Sequence, residues 1–180
     1  MTLTSIIDKA ILVGPGTDME GHMGSLRKFA SQCERIIEFG VYDCTSTWAL
    51  LAGGPKWMRS YDIARRAEVS EVEQATAAAG IEFQFILASS LEVSIEETDL
   101  LFIDSLHTYA QMKAELALHA GKVRKFILAH DTTTFGDVDQ FWKGPGLWPA
   151  IREFLDHNPE WQLRERYTHC HGLTVLARHG

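Results

Sequence analysis

Two short runs carry the side chains most able to do chemistry. In DLLFIDSLHTY (99–109) four apolar residues, Leu100 to Ile103, end in Asp104, and His107 follows three positions later. In KFILAHDTTTFG (125–136) a second apolar run ends in His130 and Asp131. Asp104 and Asp131 offer hard oxygen donors, and His130 adds an imidazole. Carboxylates with waters suit magnesium or manganese, and a histidine shifts the preference toward manganese, iron or zinc. The set predicts a divalent cation held by Asp104, His130 and Asp131. Two carboxylates held close repel, so a cation between them would compensate. His107 titrates near neutrality and is the candidate general base. The plainer roles are also open: Asp104 and Asp131 as caps, His107 as a helix N-terminal histidine, His130 as a hydrogen-bonded structural one.

A second constellation lies in IIEFGVYDCTSTWALL (36–51). Glu38 and Gly40 end an apolar run, and the turn after them leads into a helix. Gly40 gives the turn a permissive backbone that lets ligand groups approach. Asp62 follows Gly40 by 22 positions, at the end of the next apolar run. An acid at about that distance is the usual partner of ribose hydroxyls in a nucleotide-binding fold. The glycine fingerprint is incomplete: Asp43, Cys44 and Thr45 stand where a second glycine would be, and a side chain at Cys44 would crowd a ligand there.

THCHG (168–172) brings His169, Cys170 and His171 together. On a strand the two histidines would share a face, which suggests zinc, yet no second cluster completes the four ligands of a structural site. FGDVDQFWKGPG (135–146) reads as a loop over a pocket, with Asp137 and Asp139 solvated; Trp142 and Trp148 suit a lid or core, and Phe154 the core.

The elements that position these groups follow from periodicity. Strands are predicted at 35–40, 57–63, 81–87, 99–104 and 125–130, with a closing hairpin of WQLRERY (161–167) and LTVLAR (173–178). Helices are predicted at 21–33, 45–54, 70–80, 108–121 and 147–157, the third opened by a capping box of Ser70 and Glu73 and the fourth stopped by Gly121. Alternating strands and helices call for a mostly parallel sheet covered on both faces, here an α/β, Rossmann-like, doubly wound sheet of seven strands with an antiparallel C-terminal hairpin. Ligands of such sheets bind beyond the carboxyl ends of the strands, where Glu38, Asp62, Asp104, His130 and Asp131 would meet.

The 180 residues suit one domain, and 46% hydrophobic with 23% charged content is ordinary for a globular chain. A net charge of −7 and a pI near 5.6 weigh against nucleic-acid binding through phosphates. No apolar run approaches the ~20 residues that cross a bilayer. The first residues make a poor signal peptide, and three unspaced cysteines suit a reduced, cytoplasmic chain.

The order EFG…ST, YDI, DLLFIDSLHTY, HDTTTFG, GPGLWPAIREFL and a closing hairpin resembles the class I S-adenosylmethionine-dependent methyltransferases. It is similar to the small metal-assisted O-methyltransferase branch that includes the cephalosporin-pathway and macrolide sugar enzymes. The resemblance runs over roughly residues 20 to 178. It implies S-adenosyl-L-methionine as cofactor, with Glu38, Gly40 and Ser46 at its methionine end and Asp62 on the ribose. The loop Ala88–Ser90, Ser89 included, would lie near the adenine, and Asp104 would share in cofactor contacts. It implies a cation, magnesium or manganese, orienting a small or sugar-like acceptor hydroxyl, with His107 as base. One methyltransferase-like domain would span 1–180, a helical segment at 1–33 preceding a cofactor-binding core at 34–180. The partner would be a small-molecule acceptor, with no nucleic acid and no membrane, in a pocket that is open or completed by a second copy in a homo-oligomer. Two alternatives remain: a degenerate member that binds the nucleoside without methyl transfer, and a metal-dependent hydrolase.

Overall fold

Seven apolar runs become strands: β1 Arg35–Phe39, β2 Trp57–Asp62, β3 Glu82–Leu87, β4 Thr98–Ile103, β5 Val123–His130, β6 Trp161–Tyr167 and β7 Leu173–Arg178. The computed structural model describes residues 2–179. β4 is buried along its whole length, as expected of a parallel strand covered on both faces. The strands form one sheet in the order β3-β2-β1-β4-β5-β7-β6. The first five are parallel, and β7 runs antiparallel to both β5 and β6. The predicted sheet, including its single reversed last strand, is present.

Helices α1 Leu3–Val13, α2 Met23–Ala30, α3 Thr45–Leu51 and α4 Val69–Ala79 contribute to a core on one face of the sheet, around Leu26, Trp48, Val72 and Phe102. Helices α5 Tyr109–His119 and α6 Leu147–His157 cover the other face, around Leu101, Ile103, Leu116 and Ile151. The winding reverses between β1 and β4, and this switch point opens the crevice.

Local readings differ at the start of α4 and the end of α5. Helix α1 falls within the segment 1–33 expected to be helical, ahead of the helix predicted at 21–33; Thr2 and Ser5 cap it reciprocally. Ser70 and Glu73 form no capping box: α4 opens one residue earlier with Glu68 at its N-cap, and both side chains instead accept from Arg65. Gly121 does not stop α5, which passes at His119 into a 3-10 turn, Ala120–Lys122. The histidines of 168–172 lie in the β6–β7 turn, where the predicted hairpin puts them, so the shared strand face of the zinc reading does not form.

Candidate functional site

A cavity of about 550 Å³ opens at the carboxyl ends of the parallel strands. That is the size range of small-ligand pockets. Its first wall is the turn after β1. Gly40, Tyr42 and Cys44 have φ of 84°, 43° and 66°. Left-handed non-glycine residues are strained, and surrounding contacts must hold them. Asp62 does so: its Oδ2 accepts from the amides of Val41 at 2.8 Å and Tyr42 at 3.1 Å, and its Oδ1 accepts from Ala64 at 3.0 Å. Asp62 also lines the cavity, with lone pairs left over. Gly40 has a different reason from the expected one. A Cβ there would stand 1.9 Å from the Asp104 carbonyl oxygen, so the close approach at this turn is made by the end of β4.

Cys44 does not crowd the cavity. Its side chain is buried in the core beneath α3, where desolvation pushes the thiol up to about 12. Glu38 lies under the cavity wall and is fully buried. It accepts from the hydroxyls of Ser46 at 2.7 Å, Thr47 at 2.8 Å and Ser60 at 2.6 Å. Burial raises its pKa to about 7 against those three hydrogen bonds. Of the residues assigned to the methionine end, Gly40 and Ser46 border the cavity, and Glu38 reaches it only through Ser46. Ser89 borders it at the β3 end, its hydroxyl accepting from the Leu91 amide.

The acid and imidazole groups do converge. Ile103 pairs with Ala129, so Asp104 and His130 leave the sheet side by side. His107 Nε2 lies 3.0 Å from Asp131 Oδ2 and 3.3 Å from Asp104 Oδ1. Ligand atoms of Asp104, His107 and Asp131 all fall within 4.8 Å of one another. Neither carboxylate is a cap: Thr108 caps α5, and Asp131, at φ 61°, turns toward His107. The His107 ring stacks on Phe135 at 5.0 Å. Burial would lower the His107 pKa, but Asp104 and Asp131 outweigh it and raise the value. Burial would raise that of Asp104, but His107 and His130 hold it well below the usual carboxylate range. As it stands, His107 is a charge partner rather than a free base.

His130 carries the most telling detail. Its Nε2 donates to the carbonyl of Cys170 at 3.1 Å; a carbonyl can only accept, so Nε2 bears the proton. Nδ1 is buried with no hydrogen-bond partner and lies 3.5 Å from Asp104 Oδ1 and 3.6 Å from Asp131 Oδ2. A bare lone pair facing two carboxylates is repulsive; a proton or a cation must sit there. Burial opposes the proton, yet the two carboxylates raise the His130 pKa. Two imidazolium rings, or one dication with two neutral rings, equally balance the two carboxylates. The tautomer lock on the outer nitrogen is what metal-ligating histidines ordinarily have. The donor set therefore fits a divalent cation.

The carbonyls of the β6–β7 turn supply that lock, and this is their role in place of zinc binding. His22, also fully buried, donates from Nε2 to the carbonyls of His169 and Cys170, each at 3.0 Å, and packs its ring edge-on to His130. Burial, then the neighbouring His130, lowers its pKa to about 4. The imidazole of His171 is bound to Thr134, and among the described residues this trio forms no metal cluster. Asp139 is not solvated: it is buried, and its Oδ1 accepts from the amides of Phe141 and Lys143. That turn brings Gln140 onto the cavity, where Gln140 and His107 exchange hydrogen bonds of 3.0 and 3.1 Å. Trp142 is exposed nearby, whereas Trp148 is half-buried under Arg166 and Phe154 packs on the core.

Sequence reasoning missed one group. Gln111, Glu115 and His119 recur every four residues on α5 and face the cavity wall at Ser90 and Ser105. The i, i+4, i+8 spacing of polar residues on a half-buried helix was the available signal.

No family model matches the sequence, and no curated protein matches it. Solved structures do match. An O-methyltransferase from Bacillus cereus in complex with S-adenosylhomocysteine superposes with a TM-score of 0.70 at 16% identity, covering 97% of this chain and 91% of its own. The S-adenosylhomocysteine-bound methyltransferase PaMTH1 of Podospora anserina gives 0.64 at 16% identity, covering 99% and 88%. A 1,6-didemethyltoxoflavin-N1-methyltransferase of Burkholderia thailandensis, with that substrate and S-adenosylhomocysteine bound, gives 0.68 at 14% identity, covering 98% and 84%. Across nearly its whole described length, the chain has the Rossmann-like fold of class I S-adenosylmethionine-dependent methyltransferases.

Proposed function

We propose that this chain is an S-adenosylmethionine-dependent methyltransferase acting on a hydroxyl of a small molecule with the help of a divalent cation. The observation that carries the reading is one cavity with two differently equipped ends. Asp62 stands at one end with unused lone pairs; Asp104 and Asp131 stand at the other, with the unpartnered Nδ1 of His130 buried behind them. Asp62 suits the ribose hydroxyls, and Ser46, whose proton is committed to Glu38, offers lone pairs to an ammonium group. Asp104, Asp131 and His130 would hold the cation. S-adenosylmethionine supplies an electrophilic methyl group when bound, and the cation supplies Lewis-acid polarisation that lowers the pKa of a hydroxyl. His107 then matters for its proton. With the charges of Asp104 and Asp131 neutralised, the attraction that keeps the ring protonated is gone, and Nε2 can take the acceptor's proton. Leu106, beside His107, lines the cavity and is well exposed, which suits an acceptor with an apolar body.

A second reading, nucleoside binding without methyl transfer, is favoured by the pairing of His107 with both carboxylates, which leaves no free base. Calorimetric titration with S-adenosylhomocysteine, with and without manganese, tests the proposal. Saturable binding of both ligands is expected. Manganese binding with no nucleoside binding would move the reading to a metal-dependent hydrolase. Nucleoside binding with no methyl release to hydroxylated acceptors, at any manganese level, would favour the second reading.

A further inference from the structure

The polar stripe of α5 controls which hydrogen-bonding groups one cavity wall can offer. Glu115 is fully buried. Its Oε1 accepts from the Ser90 hydroxyl at 2.6 Å, the Ser105 hydroxyl at 2.7 Å and the Gln111 amide nitrogen at 2.9 Å. The same Gln111 nitrogen donates to the Ser90 hydroxyl at 3.0 Å, and His119 Nε2 donates to the Ser90 carbonyl at 2.7 Å. Ser90, Ser105 and Gln111 border the cavity; Glu115 does not.

The proton inventory is short. A serine hydroxyl has one proton, and both serines give theirs to Glu115. A primary amide has two, and Gln111 gives one to Glu115 and one to Ser90. What these three side chains have left is acceptor capacity only. These side chains pair with N–H groups and have nothing to offer a ligand acceptor.

We propose that Glu115 turns the side chains of this wall into acceptors that select the exocyclic amino group of a purine, and so sets the preference for an adenine nucleoside. The inference rests on the nucleoside reading of the cavity and adds a specificity determinant to it. Glu115 touches no ligand; it acts through Ser90, Ser105 and Gln111 and is a positioning residue. The design differs from an ordinary serine wall, whose hydroxyls would rotate to donate or accept as the ligand required.

The test compares S-adenosylhomocysteine with its 6-deamino analogue, in which hydrogen replaces the amino group, by calorimetry on the full chain. The native chain should bind the amino-bearing ligand about tenfold more tightly, the scale of one to two buried hydrogen bonds. In Glu115→Leu, close in size and without any acceptor, the protons of Ser90 and Ser105 are released and can turn to the cavity. Affinity for S-adenosylhomocysteine should fall while that for the analogue stays, closing the gap to about threefold or less. Ser105→Ala, which leaves the buried carboxyl in place, should narrow the gap in the same direction and decides the matter if Glu115→Leu does not fold. Equal affinities in the native chain would overturn the selectivity while leaving nucleoside binding intact. A parallel loss of both ligands in the variants would mean that Glu115 only supports the fold, and would overturn the proposal. Failure of the native chain to bind either ligand would remove the nucleoside reading itself, and the selectivity with it.

Discussion

Glu38 and the Asp104–Asp131 pair lie at the carboxyl ends of neighbouring central strands, yet they are built in opposite ways. Glu38 is sealed from solvent and surrounded by three hydroxyl donors from its own chain. Asp104 and Asp131 reach the cavity, and the groups facing them are imidazoles, which can be charged or neutral. Serine and threonine hydroxyls satisfy a carboxyl in either protonation state, so the Glu38 nest needs nothing from outside. The imidazole arrangement is balanced only when protons or a cation fill it. The contrast separates a carboxyl that supports a wall from carboxyls that can hold something. Glu115 stands between the two: its Oε1 is met by donors of the chain itself, while its Oε2 is buried without a partner.

The first way to break the comparison is pH. The Glu38 value in the folded chain, about 7, lies above the 4.5 of an exposed glutamate. Between those values the folded chain holds a proton that the unfolded chain releases. Stability from this group is therefore full below pH 4.5 and falls as pH rises through 7. The span corresponds to about 3 kcal/mol. Urea unfolding at a series of pH values, for the native chain and for Glu38→Gln, isolates it. The difference between the two chains should grow in the variant's favour from pH 5 to pH 8. A pH-independent difference would mean that Glu38 stays charged in its nest, and the distinction from Asp104 and Asp131 would collapse.

The second is the cation. Manganese at a hundred times its dissociation constant should stabilise the native chain by about 2.7 kcal/mol, a rise of roughly 5–10 °C in Tm for a chain of this length. Asp104→Asn combined with Asp131→Asn should remove the response without unfolding the chain. Glu38→Gln should keep it. A native chain that does not respond near neutral pH would return the two aspartates to the role of charge partners for His107 and His130.

These differences were unevenly visible in the sequence. Period-two and period-3.6 patterns are local, so the hairpin of β6 and β7 and helix α6 were legible to the residue. The convergence of Asp104, His107, His130 and Asp131 was legible because a parallel sheet gathers its strand ends whatever their spacing. The tautomer lock on His130 was not. Its partner is the backbone carbonyl of Cys170, 40 positions away, and a carbonyl leaves no mark on residue type. The Ser70–Glu73 signal misled for a related reason: Arg65, eight residues before Glu73, competes for both side chains. Asp139 looked like solvated acid because an amide-binding turn differs from an exposed one only in how the chain folds back. The reason for Gly40 was invisible too, since the clashing atom belongs to another strand.

The smallest effect sharpens the comparison at the opposite end of the cavity, where Asp62 combines both designs. Like Glu38, it is met by donors of its own chain, the amides of Val41, Tyr42 and Ala64. Like Asp104, it borders the cavity. Two substitutions separate the roles. Asp62→Ala removes every acceptor, so the left-handed residues Tyr42 and Cys44 lose the contact that holds the turn, and both stability and nucleoside affinity should fall. Asp62→Asn keeps one carbonyl oxygen for the amides of Val41 and Tyr42 but presents an amide toward Ala64 and a weaker acceptor to a ribose. Its melting temperature should stay within a few degrees of the native value. Its affinity for S-adenosylhomocysteine should drop by roughly 10- to 150-fold, the worth of a hydrogen bond to a charged group, about 1.5–3 kcal/mol. Calorimetry beside a thermal melt reads both quantities from one preparation. Full affinity in Asp62→Asn would make the carboxylate a brace for the turn alone, and the ribose contact would have to come from elsewhere on the wall.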